Sequence, residues 1–92
     1  LDPGFGFAKS VEQNWELMRG LGELYKFGLP ILVGVSRKSM IYRTLGITPE
    51  ESLPSSLALA WEALQGGEAI LRVHDVAETV QVMRLAEKYK KI

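Results

Sequence analysis

The chain has 92 residues, 47% of them apolar, and its 11 basic residues balance 11 acidic ones for a formal net charge of zero. That length suits one small domain, and the charge balance lacks the basic excess of nucleic-acid or anionic-membrane binders. The absence of cysteine excludes disulfides, thiolate nucleophiles and Cys-ligated zinc and suits a cytoplasmic protein, and no apolar run approaches the ~20 residues of a membrane span.

The sequence opens on Leu1 rather than Met, with no signal-peptide pattern, and reads as a piece of a longer protein. Asp2-Pro3-Gly4-Phe5-Gly6-Phe7 is turn-rich, as a loop leaving a strand would be. Ser10 with Gln13 forms a capping box, and Val11, Trp15, Met18, Leu21 and Tyr25 recur at helical spacing. An amphipathic helix is therefore expected over residues 11–27, ended by Gly28 and Pro30. Ile31 to Val35 is a continuous apolar run, the pattern of a strand buried on both faces. Ser36-Arg37-Lys38-Ser39 then begins a short helix through about Leu45.

Thr48, Pro49 and Glu51 mark another helix start, with Pro54 breaking or restarting it. Leu57, Ala60, Trp61 and Leu64 form a stripe that ends at Gly66-Gly67. Ala69 to Val73 reads as a second buried strand, leading to His74. Asp75 and Glu78 suggest a third capping box, and Val76, Val80, Met83 and Ala86 line the last helix. Lys88, Lys90 and Lys91 complement the negative end of that helix. The alternation of helices and strands implies an α/β fold with a parallel sheet. Two strands are too few for such a sheet, so others must come from elsewhere in the protein or from another copy.

Each polar candidate has a plain structural reading. Asp2 could cap an ordinary turn, and Arg37 and Lys38 could be a solvated pair. Arg72 could pair at the surface, the lone His74 could be a packed or capping residue, and Phe5 and Phe7 could anchor a loop. Their placement favours function. Asp2, the Ser36–Ser39 run and Arg72 with His74 all follow strand ends, the edge where parallel α/β folds gather their active-site groups. A strand end followed by a helix start also offers free N–H groups to an anion. Arg72 and His74, two apart on an extended segment, would point the same way, and a guanidinium with an imidazole suits a diphosphate.

Three blocks then resemble one family: Leu-Asp-Pro-Gly-Phe-Gly-Phe at 1–7, Ile-Leu-Val-Gly-Val-Ser-Arg-Lys-Ser at 31–39, and Ile-Leu-Arg-Val-His-Asp-Val at 70–76. They are similar, in order and spacing, to signatures of the dihydropteroate synthases. The resemblance implies that residues 1–92 are the C-terminal part of a pterin-binding (β/α)8 TIM barrel, carrying the loops after its last three strands. It implies the joining of p-aminobenzoate to 6-hydroxymethyl-7,8-dihydropterin diphosphate, a step of folate biosynthesis that sulfonamides inhibit. By that resemblance Asp2 and Lys38 would bond the pterin, Gly34 would line it, and Arg72 and His74 would bind the diphosphate. Phe7 and Lys38 would border the p-aminobenzoate site, Ser39 would hold its carboxylate, and Ser36 and Arg37 would shape the loop. Mg²⁺ would be bound mainly through the diphosphate and residues outside this chain. The resemblance further implies a homodimer through the outward faces of helices at 55–66 and 76–91, and a piece inactive alone. Two alternatives stand beside it: a corrinoid-type methyltransferase domain on a similar pterin-binding barrel, and a non-catalytic folding or dimerisation unit.

Overall fold

The fold was read from a computed structural model, which describes residues 1–6 and 9–91. Ser10 caps α1 (Val11–Arg19): its hydroxyl accepts from the Gln13 N–H at 3.1 Å, and Gln13 Oε1 accepts the Ser10 N–H at 2.8 Å. The single helix expected over 11–27 is interrupted at Gly20, and α2 (Leu21–Tyr25) begins after it. The Gly20 N–H is shared between the Glu16 and Leu17 carbonyls, the tightened ending common at helix termini. Gly28, at φ 73°, makes the left-handed turn toward β1.

Strands β1 (Ile31–Val33) and β2 (Ala69–Leu71) pair in parallel, with Ile31 opposite Ala69, Leu32 opposite Ile70 and Val33 opposite Leu71. On the other side of β1, the Leu1 amino group donates to Pro30 O at 3.0 Å and the Leu32 N–H donates to Leu1 O at 2.6 Å. Those two bonds straddling Ile31 are the pattern of a parallel bridge. Leu1, β1 and β2 thus run side by side in one direction, and the segments that follow them leave from the same edge.

The helices cover one face of this sheet. Ile31, Val33 and Val35 are buried with Phe5, Met18, Leu21, Met40, Ile41 and Ala63 in one cluster. Alternation along a strand turns Leu32, Gly34, Ile70 and Arg72 to the opposite face, where Ile70 is 58% exposed. Burial on both faces, expected from the apolar runs, is therefore not met in β2. The described residues supply helices to one side only, and the molecule is 17 Å through its thinnest dimension.

After β1 comes α3 (Ser39–Leu45), tied to α1 by the Trp15 indole, which donates to Met40 O at 3.1 Å. Thr48 and Glu51 form the expected capping box, on a 3₁₀ turn (Pro49–Ser52) that runs into α4 (Leu53–Gln65). Pro54 sits in the first turn of α4, where a missing N–H removes no helical bond. Beyond α4, the Tyr25 ring lies so close to Gly66 and Gly67 that a Cβ at Gly67 would come within 2.5 Å of it.

The last helix, α5 (Val76–Lys90), departs from expectation on two counts. Of the expected line only Ala86 is buried, joined by Thr79, both small side chains suited to close packing, while Val76 (62% exposed), Val80 and Met83 face outward. Periodicity gave the helix, but its neighbour α4 selects which flank is covered. Tyr89 near the end of α5 also meets Trp61 of α4, with ring centroids 5.5 Å apart. Asp75 occupies the N-cap without a side-chain cap bond, because its carboxylate is taken by Arg37. No helix of the described residues is long and apolar enough to cross a membrane.

Candidate active site

Three loops meet at the edge where the strands end. In the first, Asp2 Oδ1 accepts the Gly4 N–H at 2.9 Å, the local turn that Asp before Pro-Gly favours. Gly4 and Gly6 follow at φ 79° and 85°, conformations open to glycine. The loop is pinned from below by Asn14 of α1, which is 1% exposed. Its Oδ1 accepts the Gly6 N–H at 2.8 Å, and its Nδ2 donates to Ser10 O at 3.0 Å. Phe7, expected at the p-aminobenzoate site, lies outside the described residues, as does Ala8.

The second loop leaves β1 through Gly34 and Val35 and turns at Ser36-Arg37, where the Lys38 N–H donates to Val35 O at 3.1 Å. Arg37 has φ 54°, an unusual backbone for a residue with a side chain. Long-range bonds hold it there: its N–H donates to Ser56 Oγ of α4 at 3.0 Å, and its guanidinium forks onto Asp75. Arg37 is thus a partner of Asp75 rather than half of a solvated pair. The hydrogen-bonded guanidinium holds the Asp75 carboxyl below its ordinary range, outweighing the opposing loss of hydration. The same bond makes Arg37 still harder to deprotonate.

Lys38 follows as the N-cap of α3, with no side-chain cap bond, so the first amides of that helix receive no cap from it. Its side chain reaches back over the first loop: a Cβ on Gly6 would lie 3.0 Å from Lys38 Cδ and 3.2 Å from Nζ. Ser39 begins α3 and is half-buried.

The third loop continues β2. The Arg72 N–H donates to Val33 O at 3.1 Å, extending the ladder by one bond. Arg72 stands beside Gly34 on the helix-free face, where a Cβ at Gly34 would meet its Cβ at an ordinary 3.8 Å. His74 Nδ1 lies 3.0 Å from Ser36 Oγ, and the His74 N–H donates to the same oxygen at 3.2 Å. Ser36 is 5% exposed, so it acts within the protein by holding His74. Arg72 and His74 themselves are exposed.

The loops are therefore linked in series: Gly6 to Lys38, then Gly34 to Arg72, Ser36 to His74 and Arg37 to Asp75. Asn14, Ser56 and Asp75 were not singled out as site residues from the sequence. A capping-type signal drew notice to Asp75, but only the fold reveals its partner. Every fully buried side-chain nitrogen and oxygen among the described residues has a hydrogen-bond partner. Cations and free amides thus border a helix-free face, an arrangement that can receive a flat polar ring joined to an anion.

Comparison with known proteins follows the same lines. Residues 1–74 match the family model described as "Pterin binding enzyme". The chain is 53% identical over 87 residues to the dihydropteroate synthase of Escherichia coli K12, covering 95% of this chain and 31% of that protein. The crystal structure of the Yersinia pestis dihydropteroate synthase superposes with a TM-score of 0.90 at 45% identity, over 100% of this chain and 43% of that one. The Xanthomonas albilineans dihydropteroate synthase with 4-aminobenzoic acid gives a TM-score of 0.90 at 40% identity, over 99% of this chain and 34% of that one. The chain spans about a third of the length of the curated relative from E. coli. This chain belongs to the pterin binding enzyme family.

Proposed function

We propose that residues 1–92 are the C-terminal part of a dihydropteroate synthase, which joins p-aminobenzoate to 6-hydroxymethyl-7,8-dihydropterin diphosphate and releases pyrophosphate. The observation that carries this reading is the serial linkage of the three loops at one strand edge, with Lys38, Arg72 and His74 among them. The 53% identity to the E. coli enzyme supports it, as does the 4-aminobenzoic acid named with the Xanthomonas structure. The Yersinia pestis enzyme has also been solved as a sulfonamide drug complex. In this reading the product enters folate biosynthesis, the compartment is the cytoplasm, and sulfonamides compete at the p-aminobenzoate site.

The sheet is read as the closing part of a (β/α)8 barrel. The exposed Ile70, on the face opposite the helices, supports this, because the interior of such a barrel is packed with strand side chains. The outward apolar residues Val76, Val80 and Met83 suit a cover by further protein, either neighbouring barrel helices or the second subunit of a homodimer.

The same reading assigns each residue a role. Asp2 has Oδ1 on the Gly4 amide, and Oδ2 is left to accept from pterin N–H groups. Lys38 and Gly34 border the ring, and Ser39 and the first amides of α3 receive the p-aminobenzoate carboxylate; Phe7, outside the described residues, is assigned to that site by the family resemblance alone. The aromatic amine is a weak nucleophile, so the C–O bond to diphosphate breaks early and the pterin methylene gathers positive charge. Arg72 and His74 stabilise the departing diphosphate, and the amine nitrogen bonds the methylene carbon and loses its proton. A protein nucleophile is not required. The described residues hold no group of three His, Asp or Glu fit to bind a metal. Mg²⁺ in this reading rests on the diphosphate and on residues beyond this chain, and the 92 residues alone do not turn over.

A chimera tests the proposal: these residues replace the matching segment of the E. coli enzyme, and pyrophosphate release is followed with both substrates. The expected rate lies within about tenfold of the parent, a barrier change of about 1.4 kcal/mol. A folded chimera without turnover, or full-rate turnover by the isolated chain, contradicts the reading.

A further inference from the structure

We infer that Ser36 is a positioning residue that fixes the tautomer of His74, keeping the imidazole proton on Nε2 and presenting it as a donor. The inference rests on the proposed diphosphate site for its catalytic meaning, but not for its geometry. One hydroxyl serves two groups of His74: it accepts the backbone N–H at 3.2 Å and lies 3.0 Å from Nδ1. A serine hydroxyl has one proton and two acceptor sites. With one site used by the His74 amide, its proton can go to Nδ1, provided that Nδ1 is unprotonated.

The opposite tautomer would strand that proton. Ser36 is 5% exposed, and its Oγ has no other hydrogen-bond partner among the described residues. If Nδ1 carried hydrogen, it would donate into the second acceptor site, and the serine proton would be left buried without a partner. The Nε2–H form satisfies both groups. It also leaves Nε2–H without a protein acceptor among the described residues, on a side chain that is exposed beyond the strand edge. An N–H donor there faces outward and can bond an anionic oxygen.

The chain contains a single histidine, so its ring nitrogens are unambiguous in a long-range proton–nitrogen NMR spectrum of the labelled 92-residue chain. The measurement belongs near pH 8, where an ordinary histidine is neutral. The Nε2–H form should exceed the other by at least about tenfold, a difference of about 1.4 kcal/mol. The same chain unfolded in urea gives the unbiased ratio. Ser36→Ala should relax the folded ratio toward that reference, and Ser36→Thr, which keeps the hydroxyl, should restore it. A wild-type Nδ1–H form, or a folded wild-type ratio equal to the urea value, overturns the inference whether or not Ser36→Ala folds. An unchanged ratio in folded Ser36→Ala overturns it too. Adding pyrophosphate separates the two readings: a correct tautomer with no His74 response counts against the diphosphate site and leaves the Ser36 assignment standing.

Discussion

Arg37 and Asp75, 38 residues apart in sequence, meet through two side-by-side bonds: Nε donates at 3.1 Å and Nη2 at 2.7 Å to the two carboxylate oxygens. The fork joins the loop after β1 to the start of α5 and holds Arg37 in its left-handed backbone. Arg37→Lys keeps the charge but lacks the planar fork. Amide hydrogen exchange at Arg37 and Lys38 should then quicken by about tenfold, with α1 unaffected, as expected of a local opening. Equal protection in wild type and variant would deny the fork this role.

The same pair gives a pH dependence. Asp75 is held below its ordinary range by the Arg37 hydrogen bonds. A depressed folded pKa stabilises above the unfolded value of about 3.9 and is lost as pH falls through the folded one. Glu51, lowered by its bonds from Thr48, acts in the same direction. Thermal midpoints measured downward from neutral pH should fall below about pH 4, and less steeply in Asp75→Asn. Parallel curves for the two proteins would show that the pair contributes nothing.

Asn14 anchors the first loop with its whole amide group. Asn14→Ala leaves the Gly6 N–H without its acceptor next to a buried site, and should cost about 1–3 kcal/mol in urea unfolding. Asn14→Asp can still accept from Gly6, but it sets a carboxylate against Ser10 O and should not restore stability. A neutral Asn14→Ala would remove Asn14 as the anchor.

Two glycines separate folding from binding. A Cβ at Gly67 would press within 2.5 Å of the Tyr25 ring, so Gly67→Ala should destabilise by about 1–3 kcal/mol. A Cβ at Gly34 meets Arg72 at an ordinary 3.8 Å, so Gly34→Ala should keep stability within about 0.5 kcal/mol. Its methyl group would nonetheless stand on the face proposed for the pterin. In the chimera it should raise the KM for the pterin substrate while the melting curve stays in place. Unchanged kinetics would move the ring elsewhere.

The local signals in the sequence were the dependable ones. The Ser10–Gln13 and Thr48–Glu51 boxes formed as expected because all their partners lie within one turn. The two apolar runs paired in parallel, and the three recognised blocks came together at one edge. What failed depended on distant partners. Asp75 was expected to cap its own helix, but a guanidinium 38 positions away competes for the same oxygens. Of the stripe expected along α5 from its period, Ala86 is buried, but Val76, Val80 and Met83 are exposed, and Thr79, which the period did not single out, packs in their place. Asn14 carried no signal, since its value lies in the amide of Gly6 that the fold brings to it.

If, as proposed, the three loops build one receptor for a pterin and its diphosphate, they must respond together to that ligand. Titrating the labelled 92-residue chain with 6-hydroxymethylpterin diphosphate, residue by residue in proton–nitrogen spectra, tests it most directly. Residues 2–6, 34–39 and 72–74 should shift and saturate together at one ligand concentration. Shifts confined to the outer surfaces of α1 and α4, with those three segments silent, would contradict it.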